Sequence, residues 1–146
     1  GSLVAVQAAS LAPSVPVHGL TYRQFVLVML TEMAEFAALV IVAIAQRKRP
    51  QVHRSLMLLT GLALLSAATD RVPTIQLWTG HEGWWGMFAP ELLLGLAFIA
   101  ARWALTGKID RWFAGGLAVM MMLLFAVFAL AKTAVWDEAL GFVFGI

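Results

Sequence analysis

Cysteine is absent from the 146 residues. That excludes a disulfide framework, a thiolate metal site, an iron–sulfur cluster and a cysteine nucleophile. Charge is scarce too: 12% of residues are Asp, Glu, Lys or Arg, against about 25% in a soluble domain. A soluble globule, a disordered chain and a nucleic-acid-binding module are excluded on that ground. The net charge of +2 comes from ten bases and eight acids, too few for a nucleic-acid partner. The sequence also lacks a Gly-rich phosphate loop, an HExxH or GxSxG motif and a zinc-ligand spacing.

What remains is apolar. Hydrophobic residues make up 62% of the chain, and the mean hydropathy is +0.87. A bilayer core of about 30 Å is crossed by about 20 mostly apolar helical residues. Four stretches approach this: residues 25–45, 53–72, 87–105 and 112–135. The first reaches roughly 31 Å at 1.5 Å per residue. The second has a short apolar middle and is expected to let Arg54 and Arg71 snorkel at its ends. In the third, Pro90 is expected in the first turn, where a missing N–H costs little. None shows the dyad alternation of a membrane barrel. The expected fold is all-α, an integral-membrane antiparallel four-helix bundle over residues 25–146, preceded by an extramembrane segment 1–24.

Tryptophans fall at the edges: Trp78, Trp84, Trp85, Trp103, Trp112 and Trp136. This fits an interfacial belt. For Trp84 and Trp85 the alternative is stacking on a pigment or quinone ring. The loop between spans one and two carries Arg47, Lys48, Arg49 and Arg54, and that between three and four carries Lys108 and Arg111. The positive-inside rule places both in the cytoplasm. Both termini of this chain then face outside, in a bacterial inner membrane. The sequence starts without Met or a basic signal region, which suggests a piece of a longer chain with spans upstream. The apolar stretch at residues 3–12 would belong to an earlier helix or lie on a partner.

Ionisable residues at membrane depth are expensive and default to a functional hypothesis. Glu32 and Glu35, at i and i+3, share a face of span one. By topology Glu91 and Lys132 lie in the same outer half, so the four form a candidate proton or ion relay. The bland alternatives are hydrogen-bonded or wet carboxyls, and a Lys132 that snorkels to water. Arg47, Lys48, Arg49, His53 and Arg54 are candidates for anionic lipid head groups such as cardiolipin. A haem needs an axial His. His18 and His81 lie a membrane away from His53, so a haem held by this chain alone is not expected, nor is any metal. Haem or quinone remains a minor alternative. Small residues four apart, with Gly115 and Gly116, offer close helix approach.

The run RKRPQVHRSLMLL, residues 47–59, combines a basic stretch, a Pro, a His, a further base and an apolar block. It resembles the C-terminal half of a group of bacterial seven-span membrane proteins of unassigned function. That resemblance covers roughly residues 25–145 and implies an acidic residue near a Phe in the preceding span, matched by Glu32, Glu35 and Phe36. The group often has a His where Arg111 and Trp112 stand, so a ligand role there is lost. The resemblance implies fold rather than activity.

Two functional expectations follow. One is a non-enzymatic accessory subunit packed in a larger membrane assembly, such as one for electron transfer or photosynthesis, since the loops are short and no catalytic constellation is present. The other is a small transporter or proton relay built on the intramembrane glutamates.

Overall fold

The computed structural model describes residues 20–65, 83–133 and 136. They form four helices: α1 (Tyr22–Ala45), α2 (Pro50–Ala63), α3 (Gly83–Thr106) and α4 (Arg111–Ala131). No strand occurs among the described residues, and the chain is an all-α bundle. Three stretches are long and apolar enough to cross a membrane: Gln24–Ala45, Gly83–Thr106 and Arg111–Ala131, with mean hydropathies of 2.2, 1.5 and 2.5. At 14 residues, α2 reaches only about 21 Å. The expected continuation of that span toward residue 72 falls largely outside the described residues, as do residues 1–19 of the N-terminal segment.

Local chemistry sets the boundaries. Thr21 caps α1 in a capping box: its hydroxyl accepts from the Gln24 N–H, and Gln24 Oε1 accepts from the Thr21 N–H at 3.1 Å. The helix therefore starts ahead of the expected residue 25. Pro50 does more than stop α1. It stands at the first position of α2, where its fixed φ suits a helix and its missing N–H would have had no partner. Gly107, at φ +66°, ends α3 as expected, and its N–H donates to the Trp103 carbonyl at 2.8 Å.

Two boundaries differ from expectation. The third helix begins at Gly83 rather than residue 87, so Pro90 lies inside it and cannot donate to the Gly86 carbonyl. The added turn is held by aromatics: the Trp84 ring lies 5.7 Å from Phe88 and 6.0 Å from Phe125 of α4. The fourth helix ends at Ala131, not 135, with Lys132 as its C-cap.

In the packing, α1 lies against α2 and α4, while α4 also packs on α2 and α3. The shared core contains Leu59, Phe88, Phe113, Leu117, Leu124 and Phe128. Large apolar side chains such as Ile41, Leu93, Val119 and Phe125 remain exposed, as a lipid-facing surface requires. The consecutive methionines divide around α4: Met120 and Met121 are buried, while Met122 faces outward.

Two close approaches between helices rest on glycine. A Cβ at Gly95 would lie 2.6 Å from Leu117 Cδ2, and a Cβ at Gly116 would collide with Leu59 Cδ1. Ala34, Ala38, Ala97 and Ala101 are all exposed. Gly115 meets nothing within 4 Å, so only one of the two adjacent glycines serves the α2–α4 contact. Gly116→Val is expected to lower stability by about 1–3 kcal/mol through overpacking against the buried Leu59. Gly115→Ala is expected to be neutral or stabilising by up to about 1 kcal/mol. Thermal unfolding in detergent compares the two, and equal destabilisation would refute the assignment.

Candidate functional site

Three carboxyls on two helices lie within reach of one another's charge. Glu32 and Glu35 stand one turn apart on α1, and Glu91 stands early on α3. Because α1 and α3 run in the same direction, their ends meeting the starts of α2 and α4 at one end of the bundle, the early part of α3 lies nearer the level of the first half of α1. The charge of Glu32 acts on Glu35, and the charges of both act on Glu91. Glu35 is 9% exposed and Glu91 only 2%. Glu91 Oε2 has no hydrogen-bond partner among the described residues. An unpartnered buried acceptor costs about 1–3 kcal/mol, so this oxygen is a stability defect as it stands. Among the described residues no three His, Asp or Glu are spaced to hold a metal ion. Carboxyls in an apolar setting can take up protons or attract a cation.

Glu32 shares a cleft of about 240 Å³ with Met33, Phe36, Ala63 and Leu64, at the C-terminal end of α2. Glu35 lines a larger cleft of about 560 Å³ between α1, α2 and α4, with Arg111 and Trp112 in the same lining. Lys132 does not join the cluster. It is exposed, caps α4 and places Nζ 4.7 Å from the Phe128 ring centroid, the cation–π form of the snorkelling alternative.

The opposite end of the bundle holds a second polar centre, which the sequence reading missed. Asp110 caps α4: its Oδ1 accepts from the Trp112 and Phe113 N–H groups, each at 3.1 Å. Its Oδ2 pairs with Arg102 of α3 at 3.0 Å and lies 2.9 Å from the Ser55 hydroxyl of α2. One carboxylate thus joins three helices. Burial works against its charge. The Phe113 N–H, the Ser55 hydroxyl, the Arg102 guanidinium and the Trp112 N–H outweigh that and hold it below the usual aspartate range. An Asp directly before an apolar helical run is an N-cap signal. Its partners on α2 and α3 leave no trace in local sequence.

The basic candidates divide. Arg47, Lys48, Arg49 and Arg54 are exposed. His53 is half-buried, and its Nδ1 lies 2.8 Å from the Ala43 carbonyl. A carbonyl only accepts, so Nδ1–H donates and ties α2 to α1. His53 is thereby a brace between α1 and α2. Trp84 packs inward against the core while Trp85 is 63% exposed, so only the second fits an interfacial belt. Trp78, Arg71, His18 and His81 lie outside the described residues. Compared with known proteins, the chain matches no family model, no curated protein and no solved structure at a significant level.

The depressed Asp110 sets a pH dependence. Its stabilisation is complete above the ordinary aspartate value and is lost as pH falls below it, through the folded value. Asp110→Asn keeps a capping oxygen but loses the charged partner of Arg102. It is expected to lower stability near neutral pH by about 1–3 kcal/mol and to flatten the decline below about pH 4. Detergent unfolding measured across that range checks both effects.

Proposed function

We propose that this chain is a non-enzymatic integral membrane protein that relays protons, acting as a small transporter or as the proton-handling part of one, through Glu35, Glu91 and Glu32. The observation that carries this reading is the almost fully buried Glu91, with an unpartnered oxygen, within reach of the charge of two carboxyls of another helix. Three negative charges packed in a low-dielectric interior repel one another strongly. A shared proton removes that repulsion and gives the unpartnered oxygen a role. A carboxyl kept only for packing would have no reason to lack a partner, since an apolar side chain of that size would serve better.

The charge distribution supports an orientation for this relay. Seven of the ten bases, Arg47, Lys48, Arg49, Arg54, Arg102, Lys108 and Arg111, lie at the end of the bundle that carries the α1–α2 and α3–α4 turns. We place that end in the cytoplasm of a bacterial inner membrane, next to anionic lipids. The carboxyls then lie toward the outer side. The relay needs no resident metal, haem or quinone. Packing as an accessory subunit in a larger assembly is compatible with the apolar outer faces, but it leaves the carboxyl cluster without a purpose.

The test is proton flux in liposomes holding the purified chain, under an imposed potential and read with an internal pH dye. Glu35→Gln and Glu91→Gln are each expected to cut the flux at least tenfold while leaving the amount of folded protein unchanged. A flux equal to that of empty liposomes, or one indifferent to both substitutions, sinks the relay and leaves the accessory role.

A further inference from the structure

We propose that the cleft between α1, α2 and α4 takes a lipophilic organic cation from the membrane, whose charge rests on Glu35 in place of a proton. The proposal rests on the relay reading of Glu35 and names its substrate class. Ten of the twelve residues lining the cleft are apolar, the two exceptions being Glu35 and Arg111. Its volume of about 560 Å³ falls within the 300–1,000 Å³ typical of small-molecule sites. The cleft lies along the outer flank of α4, where Val119 and Leu123 are exposed, so its natural source of ligand is the lipid phase.

The two charged residues in the lining point to opposite ligands, and burial decides between them. Arg111 is exposed at the first turn of α4, where water solvates its guanidinium and a counter-ion adds little. Glu35 is 9% exposed, and a charge there is costly without an opposite charge beside it. The strip of α1 in the cleft runs from Glu35 to Val42, which puts roughly 10 Å of helix rise between the carboxyl and the Arg111 end. A cation on Glu35 is therefore separated from Arg111 by the length of the cleft. An ammonium or metal ion would have to shed tightly held water to enter so apolar a site. A delocalised cation under an aryl or alkyl shell sheds little, and it can also lie against the Trp112 ring.

Competition with protons follows. The charged groups facing Glu35 are Glu32 on its own helix, Glu91 on α3 and Arg111 on α4. The α2 residue in the cleft is the neutral Leu56. When the cation binds, one proton leaves the Glu32–Glu35–Glu91 cluster for water, and no covalent bond changes.

The experiment is equilibrium binding of labelled tetraphenylphosphonium to the purified full chain in detergent, at pH 6 and pH 8. Saturable binding is expected, several-fold tighter at pH 8. Glu35→Gln is expected to weaken it at least tenfold. Gly115→Leu is expected to weaken it comparably while leaving every carboxyl in place, because Gly115 lines the cleft and its Cβ direction is open. Arg111→Gln should retain binding, and dodecanoate should not compete. Absence of saturable binding, or binding unchanged in both Glu35→Gln and Gly115→Leu, overturns the proposal. So does a site emptied by dodecanoate and lost in Arg111→Gln, which would make it a fatty-anion site. If tetraphenylphosphonium fails to bind while Glu35-dependent proton flux persists, this inference falls and the relay stands. If both fail, both fall.

Discussion

The bundle depends on one carboxylate. Asp110 stops the first-turn amides of α4, accepts from Ser55 of α2 and holds Arg102 of α3. Those three partners belong to three helices that share little else polar. In an apolar environment, helix packing has no hydrophobic preference for one register over another, so a directional polar contact fixes what dispersion alone leaves free. His53 extends the same anchoring to α1 through the Ala43 carbonyl. All four helices are thereby aligned at the basic end.

That alignment has a consequence at the other depth. With the helices registered at one end, parallel α1 and α3 bring Glu35 and Glu91 to similar depth. The two centres are electrostatic opposites. At the basic end the charge on Asp110 is stabilised by four donors. In the carboxyl cluster, charges of one sign face one another and a buried oxygen goes unmatched. Matched groups hold a structure still; an unmatched group is available to bind something. The fastened end and the carboxyl-bearing half thus differ in which polar atoms find partners.

Glycine determines how close the helices come, and so where the clefts lie. Gly116 lets α4 settle on Leu59, while Gly115, one residue earlier and turned by about 100°, faces open space. The same pair of residues thus supplies a contact on one side and part of a cleft wall on the other. Pro90 and Glu91 follow a comparable logic on α3. The proline removes a backbone donor one residue before the most buried acid of the bundle, and the aromatic contacts of Trp84 hold the preceding turn in place.

The helical class was legible in the sequence because apolar runs of 20 residues have only one inexpensive backbone solution in lipid. The choice of Glu32, Glu35 and Glu91 as residues of interest was legible too, because charge at membrane depth is rare and costly. The start of α3 was not, since Gly83–Gly86 becomes helical only when Trp84 finds Phe88 and Phe125. Depth alone groups Lys132 with the acids, and depth says nothing about which way a side chain points around a helix. The inward brace of His53 and the three-helix role of Asp110 were equally hidden, because each depends on partners up to 55 residues away. Composition and periodicity determined the helices and the cost of their charges; tertiary packing alone decided which polar groups would meet, because hydrogen bonds and charge pairs act over a few ångströms in space regardless of separation along the chain.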